Sequence, residues 1–114
     1  MRIAIDPADI VDGEPRQICV VGRGPIAIYK VGDAYFATED TCTHGDASLA
    51  DGLQEGFVIE CPFHSGTFDI RTGKALTSPV SEDLRTYEVT IEDGALIVHL
   101  DAEVAPVIAE GVAR

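Results

Sequence analysis

Short apolar runs, each ended by turn-forming residues, are the dominant pattern along this chain. Segments 17–21, 26–31 and 34–38 are rich in aliphatic residues, and turns that contain glycine separate them. No segment keeps a 3.6-residue apolar period for more than about two helical turns. The pattern therefore predicts an all-β protein that contains a meander of three antiparallel strands.

A second hairpin is predicted towards the end of the sequence. Residues 87–91 alternate apolar and polar side chains, as a strand with one buried face does. Asp93-Gly94 then provides a turn into a final apolar strand at 95–100. The remaining segment, 101–114, is rich in alanine and valine and is expected to form a C-terminal tail.

The middle of the chain differs from both ends. Between 39 and 81 the predicted strands are very short, and glycine, proline, serine, threonine and aspartate are frequent. Loops this dense in a small β-domain usually carry function. A chain of 114 residues has the length of one domain. We therefore predict a single domain over 1–100, in which the loop-rich middle at 39–81 carries the function.

The composition is strongly acidic, with 20 Asp and Glu against 8 Lys and Arg and a net charge of −12. Such a charge repels phosphate backbones and anionic lipids, so neither nucleic acid nor a membrane surface is an expected partner. No apolar segment reaches the roughly 18 residues of a transmembrane helix, and the first residues do not form a basic and then apolar leader. The sequence therefore predicts a cytoplasmic protein, for which basic protein surfaces and cationic ligands are the better candidate partners.

The acidic residues are concentrated in one stretch. Residues 31–70 contain no lysine or arginine and eight acidic residues: Asp33, Glu39, Asp40, Asp46, Asp51, Glu55, Glu60 and Asp69. An unopposed negative stretch of this length predicts that a basic partner is steered electrostatically toward this part of the molecule.

Two pairs of cysteine and histidine lie in the loop-rich middle. Cys42-x-His44 is followed, after the 16 residues from 45 to 60, by Cys61-x-x-His64. Thiolate and neutral imidazole together select iron–sulfur clusters, zinc or copper over cations that prefer oxygen. We predict that these four residues bind a metal centre, and no catalytic residue is predicted in the chain.

The third cysteine and the third histidine are not predicted to be ligands. Three cysteines, an odd number, do not suggest a disulfide framework. Cys19 lies in the apolar run 18–21 and is expected to be a buried, inert thiol. His99 lies between Val98 and Leu100, so it is expected to face away from both and to have a surface or packing role.

The sequences Cys-Thr-His-Gly at 42–45 and Cys-Pro-Phe-His-Ser-Gly at 61–66 resemble the Rieske 2Fe-2S motif. The resemblance covers essentially the whole chain. It implies a Rieske-like fold, in which an antiparallel β-sandwich or barrel base carries a loop-rich cluster-binding subdomain, here at about 39–81.

By this resemblance, Cys42 and Cys61 bind one iron of a single 2Fe-2S cluster, and His44 and His64 bind the other. Two ferric ions, two sulfides and two thiolates sum to zero charge, whereas four thiolates leave two negative charges. Neutral histidine ligands therefore ease reduction and raise the potential into a window of about −150 to +300 mV.

Positions next to the ligands imply a potential in the low part of that window. High-potential respiratory members of the family carry hydroxyl donors to sulfur two and four residues after the second ligand histidine, where this chain has Gly66 and Phe68. The extra cysteines of the respiratory type correspond to Ala47 and Phe63. The segment 78–80, which contains Pro79, matches a loop that covers the cluster in the family.

Within the family, the chain most resembles the ferredoxin components of bacterial aromatic-ring dioxygenase systems. This implies an electron-transfer protein and not an enzyme. It would carry one electron from an NAD(P)H-dependent ferredoxin reductase to a terminal Rieske non-haem iron oxygenase in aromatic compound catabolism. A carrier that works through brief contacts is expected to be a monomer or a weak oligomer.

Two alternative functions remain open from the sequence. One is the Rieske-like small subunit of an assimilatory nitrite reductase, which acts only in complex with a large flavin and haem protein. The other is a zinc-binding module in which the same two cysteines and two histidines hold one tetrahedral ion.

Overall fold

The computed structural model describes residues 2–43, 45, 47–63, 65–77 and 82–103, with backbone alone for 101–103. The only helices in these ranges are two short 3-10 segments, and no helix there is long and apolar enough to span a bilayer. The all-β prediction is confirmed. The strands are β1 (Arg2–Ile5), β2 (Arg16–Val20), β3 (Gly24–Val31), β4 (Ala34–Glu39), β5 (Leu53–Glu55), β6 (Val58–Glu60), β7 (Thr67–Asp69), β8 (Thr86–Glu92) and β9 (Ala95–Glu103); the 3-10 segments are Pro7–Asp9 and Leu49–Asp51.

Six strands form one antiparallel sheet in the order β1-β9-β8-β4-β3-β2, and three short strands form a second sheet in the order β5-β6-β7. The predicted meander is confirmed as β2, β3 and β4, and the predicted hairpin as β8 and β9. β4 and β8 pair through Ala37 with Tyr87 and Thr38 with Thr86. The chain that leaves the large sheet at Glu39 therefore returns beside the same point, and the small sheet lies within this excursion.

The turn between β8 and β9 shows why its two residues are Asp and Gly. Asp93 has φ +53° and Gly94 has φ +80°, so both adopt the left-handed conformation that glycine and aspartate tolerate best. Two left-handed central residues give the twist that joins antiparallel strands tightly. β9 runs on to Glu103, beyond the predicted 95–100, because a register shift at Tyr87 and Glu88 lets it pair again with β8.

β1 was not predicted from the pattern. It has only four residues, of which Ile3 and Ile5 are half-buried, and its register pairs Ile5 with Leu96 of β9. A two-residue apolar alternation is too short to distinguish a strand from a loop, and pairing with β9 supplies the missing stabilisation.

β3 is buried on both faces and joins two cores. Ile26 and Ile28 face one side, whereas Ala27 and Tyr29 face the other, and all four are at most 2% exposed. The first core, here the sheet core, consists of Ile10, Ile26, Ile28, Ala37, Tyr87, Leu96, Val98 and Leu100. The second core, here the loop core, consists of Ala27, Tyr29, Cys42, Ala47, Leu49, Ile59, Cys61, Phe68, Ile70 and Leu84.

The prediction that Cys19 is buried is wrong. Cys19 lies on the edge strand β2, where Ile18 and Val20 are half-buried and the intervening thiol is exposed. Its Sγ lies 3.8 Å from Oε1 of Gln17. An apolar run on a strand with only one covered face still alternates, so every second residue faces solvent whatever its type.

The prediction for His99 is confirmed. Val98 and Leu100 belong to the sheet core, while His99 is half-buried on the other face of β9. Its Nε2 lies 2.8 Å from Oγ1 of Thr90 on the neighbouring strand β8. This cross-strand hydrogen bond gives the imidazole a packing role.

Candidate metal centre

Each cysteine of the motif lies at the start of a loop, and the same type of backbone hydrogen bond closes both loops. The backbone N–H of Cys42 donates to the carbonyl of Ala47 at 2.9 Å, and that of Cys61 donates to the carbonyl of Gly66 at 2.7 Å. Each bond spans five residues, and both accepting residues are buried. The two pairs of the motif therefore lie on loops with equivalent bases. His44 and His64 themselves lie outside the described residues.

The first cysteine loop is held from both sides. Below the loop, Thr41 bridges to Ser48, and the N–H of Leu49 donates to the carbonyl of Asp40 at 2.7 Å. On the other side, the hydroxyl of Thr43 donates to the carbonyl of Glu82 at 2.7 Å. This last bond joins the first loop to the segment that returns to β8. The segment 78–80, predicted to cover the cluster, lies outside the described residues.

The second cysteine loop follows β6 and is supported by the small sheet. Ile59 of β6 is paired with Phe68 of β7, and both are fully buried in the loop core. Gly52 lies under the end of β6, where a Cβ atom would be 2.0 Å from the carbonyl oxygen of Glu60. Only glycine permits this close approach, so Gly52 allows β6, the strand that leads into Cys61, to pack directly against it.

The structure brings the two thiols together in the loop core. Cys42 is 3% exposed and Cys61 2%, and neither forms a disulfide with a described cysteine. Burial raises the pKa of the Cys61 thiol to about 11, although the backbone N–H of Phe63 donates to its sulfur and lowers the pKa, and contact with the Cys42 thiol raises it further. Because metals bind thiolates, loading this site releases protons.

The described donors fit a Rieske-type cluster. Two thiols face each other in a water-excluded core, and a backbone N–H already points at one of the sulfurs. Cysteine thiolates are the usual protein ligands of iron–sulfur clusters. Hydrogen bonds from backbone N–H groups to sulfur are also among the interactions that tune such clusters.

Tyr29 lies in the same core and forms a buried polar contact beneath the loops. Its hydroxyl lies 2.9 Å from Oγ1 of Thr38, which in turn donates to the carbonyl of Glu39 at 2.7 Å. Burial raises the pKa of Tyr29 far above its ordinary value, and the Thr38 hydrogen bond only partly opposes this shift. Tyr29 is therefore a neutral phenol at any working pH.

Asp40 has a structural role that its place among the acidic residues of the 31–70 stretch does not indicate. Asp40 is 1% exposed, and its carboxylate accepts hydrogen bonds from the Ala50 N–H at 2.9 Å and from Nε2 of Gln17 at 2.8 Å. A signal for this burial was present, since Thr38, Asp40 and Cys42 are in phase along an extended segment.

The acidic stretch is thus divided between internal and outward-facing carboxylates. Besides Asp40, Glu39 accepts the backbone N–H of Arg85 at 2.8 Å. Asp69 forms an ion pair with Arg71 at 2.9 Å, and hydrogen bonding from Arg71 lowers the pKa of Asp69. Asp33, Asp51 and Glu55 are exposed and Glu60 is half-buried; these four are here called the outer carboxylates.

The hairpin that closes the small sheet is anchored by an aromatic stack. The guanidinium of Arg71 lies over the ring of Phe57 at 4.3 Å, and Phe57 meets Phe36 of β4 edge to face at 5.8 Å between ring centroids. The N–H of Asp69 also donates to the carbonyl of Lys74 at 2.9 Å across the turn. These contacts fix the small sheet against the large one.

Comparison with known proteins agrees with this geometry. The family model of the Rieske [2Fe-2S] domain matches residues 2–88. Ferredoxin CarAc of Metapseudomonas resinovorans is 47% identical over 91 residues, which cover 80% of this chain and 85% of the relative. The ferredoxin component of the naphthalene 1,2-dioxygenase system of Pseudomonas putida is 42% identical over 97 residues, which cover 85% of this chain and 92% of the relative.

Sequence identity to solved structures distinguishes the ferredoxin from the nitrite reductase alternative. A chain in the complex of reduced oxygenase and oxidized ferredoxin of carbazole 1,9a-dioxygenase has a TM-score of 0.82 and 44% identity, and covers 85% of this chain and 91% of that chain. A structure described as a candidate NADPH nitrite reductase small subunit has a TM-score of 0.72 but only 18% identity, over 87% of this chain and 98% of that chain. The second likeness is one of fold alone.

These observations also decide between an iron–sulfur and a zinc site. The family match extends over both cysteine loops, and the relatives are ferredoxins over nearly their whole length. The chain therefore belongs to the Rieske [2Fe-2S] domain family and carries a Rieske-type 2Fe-2S cluster.

Proposed function

We propose that this protein is an electron-transfer ferredoxin whose cluster is held by Cys42, His44, Cys61 and His64. When bound, such a cluster accepts and releases one electron. The electron comes from an NAD(P)H-dependent ferredoxin reductase and goes to a terminal Rieske non-haem iron oxygenase of an aromatic-ring dioxygenase system. The protein is cytoplasmic, acts as a monomer or weak oligomer, and has no catalytic residue of its own.

The observation that carries this proposal is the agreement among relatives that match nearly the whole chain. One relative is named as the ferredoxin component of a dioxygenase system, at 42% identity. A structural relative at 44% identity is named as a ferredoxin in complex with its oxygenase. The nitrite reductase alternative shares only the fold, so it is not favoured.

The architecture supports a single domain at about 1–100 in which one part is a structural base and another part binds the cluster. The large sheet is the base, and the excursion at about 39–81 is the cluster-binding subdomain. Burial of Cys42 and Cys61 excludes water from their sulfur atoms, and the two loop closures hold the cysteines in fixed positions. Small changes in geometry between redox states favour fast electron transfer, so a rigid, dry site suits a carrier. β9 extends the domain to Glu103, so of the predicted tail at 101–114 we propose only the residues after Glu103 as a tail outside the domain.

The central experiment is reconstitution of electron transfer with the purified chain. We expect two irons and two acid-labile sulfides per chain, and electron delivery from a dioxygenase reductase to a ring-hydroxylating oxygenase. One zinc and no sulfide would overturn the cluster assignment. An intact cluster that passes electrons to a nitrite reductase large subunit but to no oxygenase would overturn the partner assignment.

The outer carboxylates are expected to steer a basic partner. Replacing Asp51 with Asn and Glu55 with Gln together should lower the second-order rate of electron transfer to the oxygenase about 3- to 10-fold at low salt. Stopped-flow kinetics over a range of ionic strength measures this, and the difference should vanish at high salt because exposed charges are screened.

Asp93 provides the matched control for charge. β8 begins next to Glu39, at the cysteine loops, and ends at Glu92, so the turn at Asp93 lies at the far end of a seven-residue strand. Asn tolerates the left-handed φ of Asp93, so Asp93→Asn removes a charge without straining the turn. A loss of rate in Asp93→Asn equal to that in the double variant would contradict local steering.

The reduction potential should lie in the low part of the Rieske window, near its limit of about −150 mV. The position of Phe68 is filled by a fully buried phenyl ring in the loop core, which offers no hydroxyl to sulfur. Phe68→Tyr adds a hydroxyl at this position and should raise the potential, whereas Phe68→Leu should not. Redox titration followed by visible circular dichroism measures both, and a wild-type potential near +300 mV would contradict the expectation.

A further inference from the structure

Asp40 is a buried carboxylate directly before the first cysteine loop. Its two oxygens both act as acceptors, Oδ1 from the Ala50 N–H at 2.9 Å and Oδ2 from the Gln17 amide at 2.8 Å. Both donors are neutral. The ion pairs formed between described residues, Arg2 with Glu92 and Arg71 with Asp69, do not include Asp40. Two accepting oxygens suit the ionised form of the side chain, so Asp40 holds a negative charge that no ion pair among the described residues cancels.

The direction of this charge follows from the backbone. Thr38, Asp40 and Cys42 are all buried, whereas Thr41 is exposed, so the extended chain places Asp40 on the inner side with the cysteine. Two residues of extended chain span at most about 7 Å between Cα atoms. The Asp40 carboxylate therefore lies close to the first cysteine ligand and at the edge of a core from which water is excluded.

Asp40 also holds the loop that carries this ligand. Its carbonyl accepts the N–H of Leu49 at 2.7 Å, its own N–H donates to the carbonyl of Pro25 at 3.2 Å, and its side chain caps Ala50. The charge is thus fixed by four hydrogen bonds to three different segments. A fixed charge acts on its surroundings more strongly than a surface carboxylate, which water and salt screen.

We propose that Asp40 tunes the cluster by lowering its reduction potential. The inference rests on the proposed ligand set, because Cys42 must be a ligand for Asp40 to act on the cluster. Reduction adds one negative charge, which a nearby like charge disfavours. For charges roughly 10 Å apart in an effective dielectric constant of about 20, the equilibrium constant of reduction changes roughly tenfold. For one electron, a tenfold change corresponds to about 59 mV.

The direct test is Asp40→Asn, which keeps the size of the side chain and removes its charge. The reduction potential, measured by titration at one pH and followed by EPR, should rise by the equivalent of about a 3- to 10-fold change in the equilibrium constant. Asp51→Asn is the matched control, since Asp51 is exposed and directly follows Ala50, whose N–H donates to the Asp40 carboxylate. The control should change the constant less than about twofold, because solvent screens its charge.

Ionic strength provides a second test of the difference in potential between the wild type and Asp40→Asn. The difference between wild type and Asp40→Asn should persist at high ionic strength, because the carboxylate is buried and mobile ions do not reach it. An unchanged potential in an Asp40→Asn variant with an intact cluster spectrum overturns the inference. An equal rise in Asp51→Asn also overturns it, because the effect would then be one of net charge.

Gln17 permits a test that leaves Asp40 and its backbone bonds in place if Asp40→Asn does not fold. Gln17 is exposed on β2, and its amide already reaches the Asp40 carboxylate. Gln17→Lys brings a cation to this carboxylate and should raise the potential, whereas Gln17→Met, which is uncharged, should not raise it. No rise in Gln17→Lys overturns the inference. A wild-type protein without a 2Fe-2S spectrum would instead overturn the proposed function.

Discussion

Cys61→Ser is expected to lose the cluster completely. The purified variant should show no visible Rieske absorption, no EPR signal after reduction, and at least about tenfold less iron than the wild type. The reason is chemical, because a serine hydroxyl is a hard and weakly acidic donor, whereas iron–sulfur clusters are held by thiolates. Cys61 is also 2% exposed, so water has no access to take the place of the missing ligand.

Cys19→Ser is the matched control for this prediction. It makes the same chemical change at the exposed thiol of β2, which contacts Gln17 and lies outside both cores. This variant should keep two irons and two sulfides, and its spectrum should equal that of the wild type. Retention of a full cluster by Cys61→Ser would contradict the ligand assignment. Loss of the cluster in Cys19→Ser would show that the thiol in β2 is needed after all.

Gly73→Ala is expected to cause a large loss of stability. Gly73 has φ +81°, and a Cβ atom there would lie 2.2 Å from the carbonyl oxygen of Leu84. The left-handed conformation costs a non-glycine residue about 1–2 kcal/mol. The overlap with fixed backbone adds about 1–3 kcal/mol. Together these should lower the melting temperature by more than about 10 °C in a domain of this size.

Gly22→Ala separates the two causes. Gly22 has φ +82°, nearly the same as Gly73, but a Cβ atom there would have open space on all sides. It should therefore suffer the conformational cost alone, with a decrease in melting temperature of about 4–8 °C per kcal/mol. Thermal unfolding of both holoproteins, followed by circular dichroism and by loss of visible absorption, measures the difference. Equal decreases would show that the backbone at Leu84 moves away freely.

Most of the large sheet could be predicted from local patterns. β2, β3, β4, β8 and β9 are apolar runs bounded by glycine turns, and their register follows from the alternation of side chains. The same reasoning failed for β1, whose four residues need β9 as a partner. It also failed for Cys19, because an edge strand leaves one face uncovered and no local signal shows which strand lies at an edge.

The metal-binding residue types of the candidate site could be predicted from the sequence, whereas the residues that hold its loops in place could not. Spacing and residue type identified Cys42 and Cys61, and the structure places both in one core. The role of Asp40 was missed, because acidic residues are exposed in most proteins and a charge count treats them alike. Its side-chain hydrogen bonds come from Gln17, which is 23 residues away, and from Ala50, which is 10 residues away, so no local pattern indicates them.

The exit and return of the central excursion have a consequence for how such a protein can be altered. The N–H of Glu39 donates to the carbonyl of Arg85 at 2.9 Å, and the N–H of Arg85 donates to the carboxylate of Glu39 at 2.8 Å. These two hydrogen bonds join the residue where the chain leaves the large sheet to the residue just before it returns at β8. The entropic cost of closing a loop grows only slowly with its length, so this pair of hydrogen bonds is compatible with connecting segments of different length. Since Ala27 and Tyr29 of β3 pack in the loop core, any segment grafted between Glu39 and Arg85 must also present an apolar face to β3.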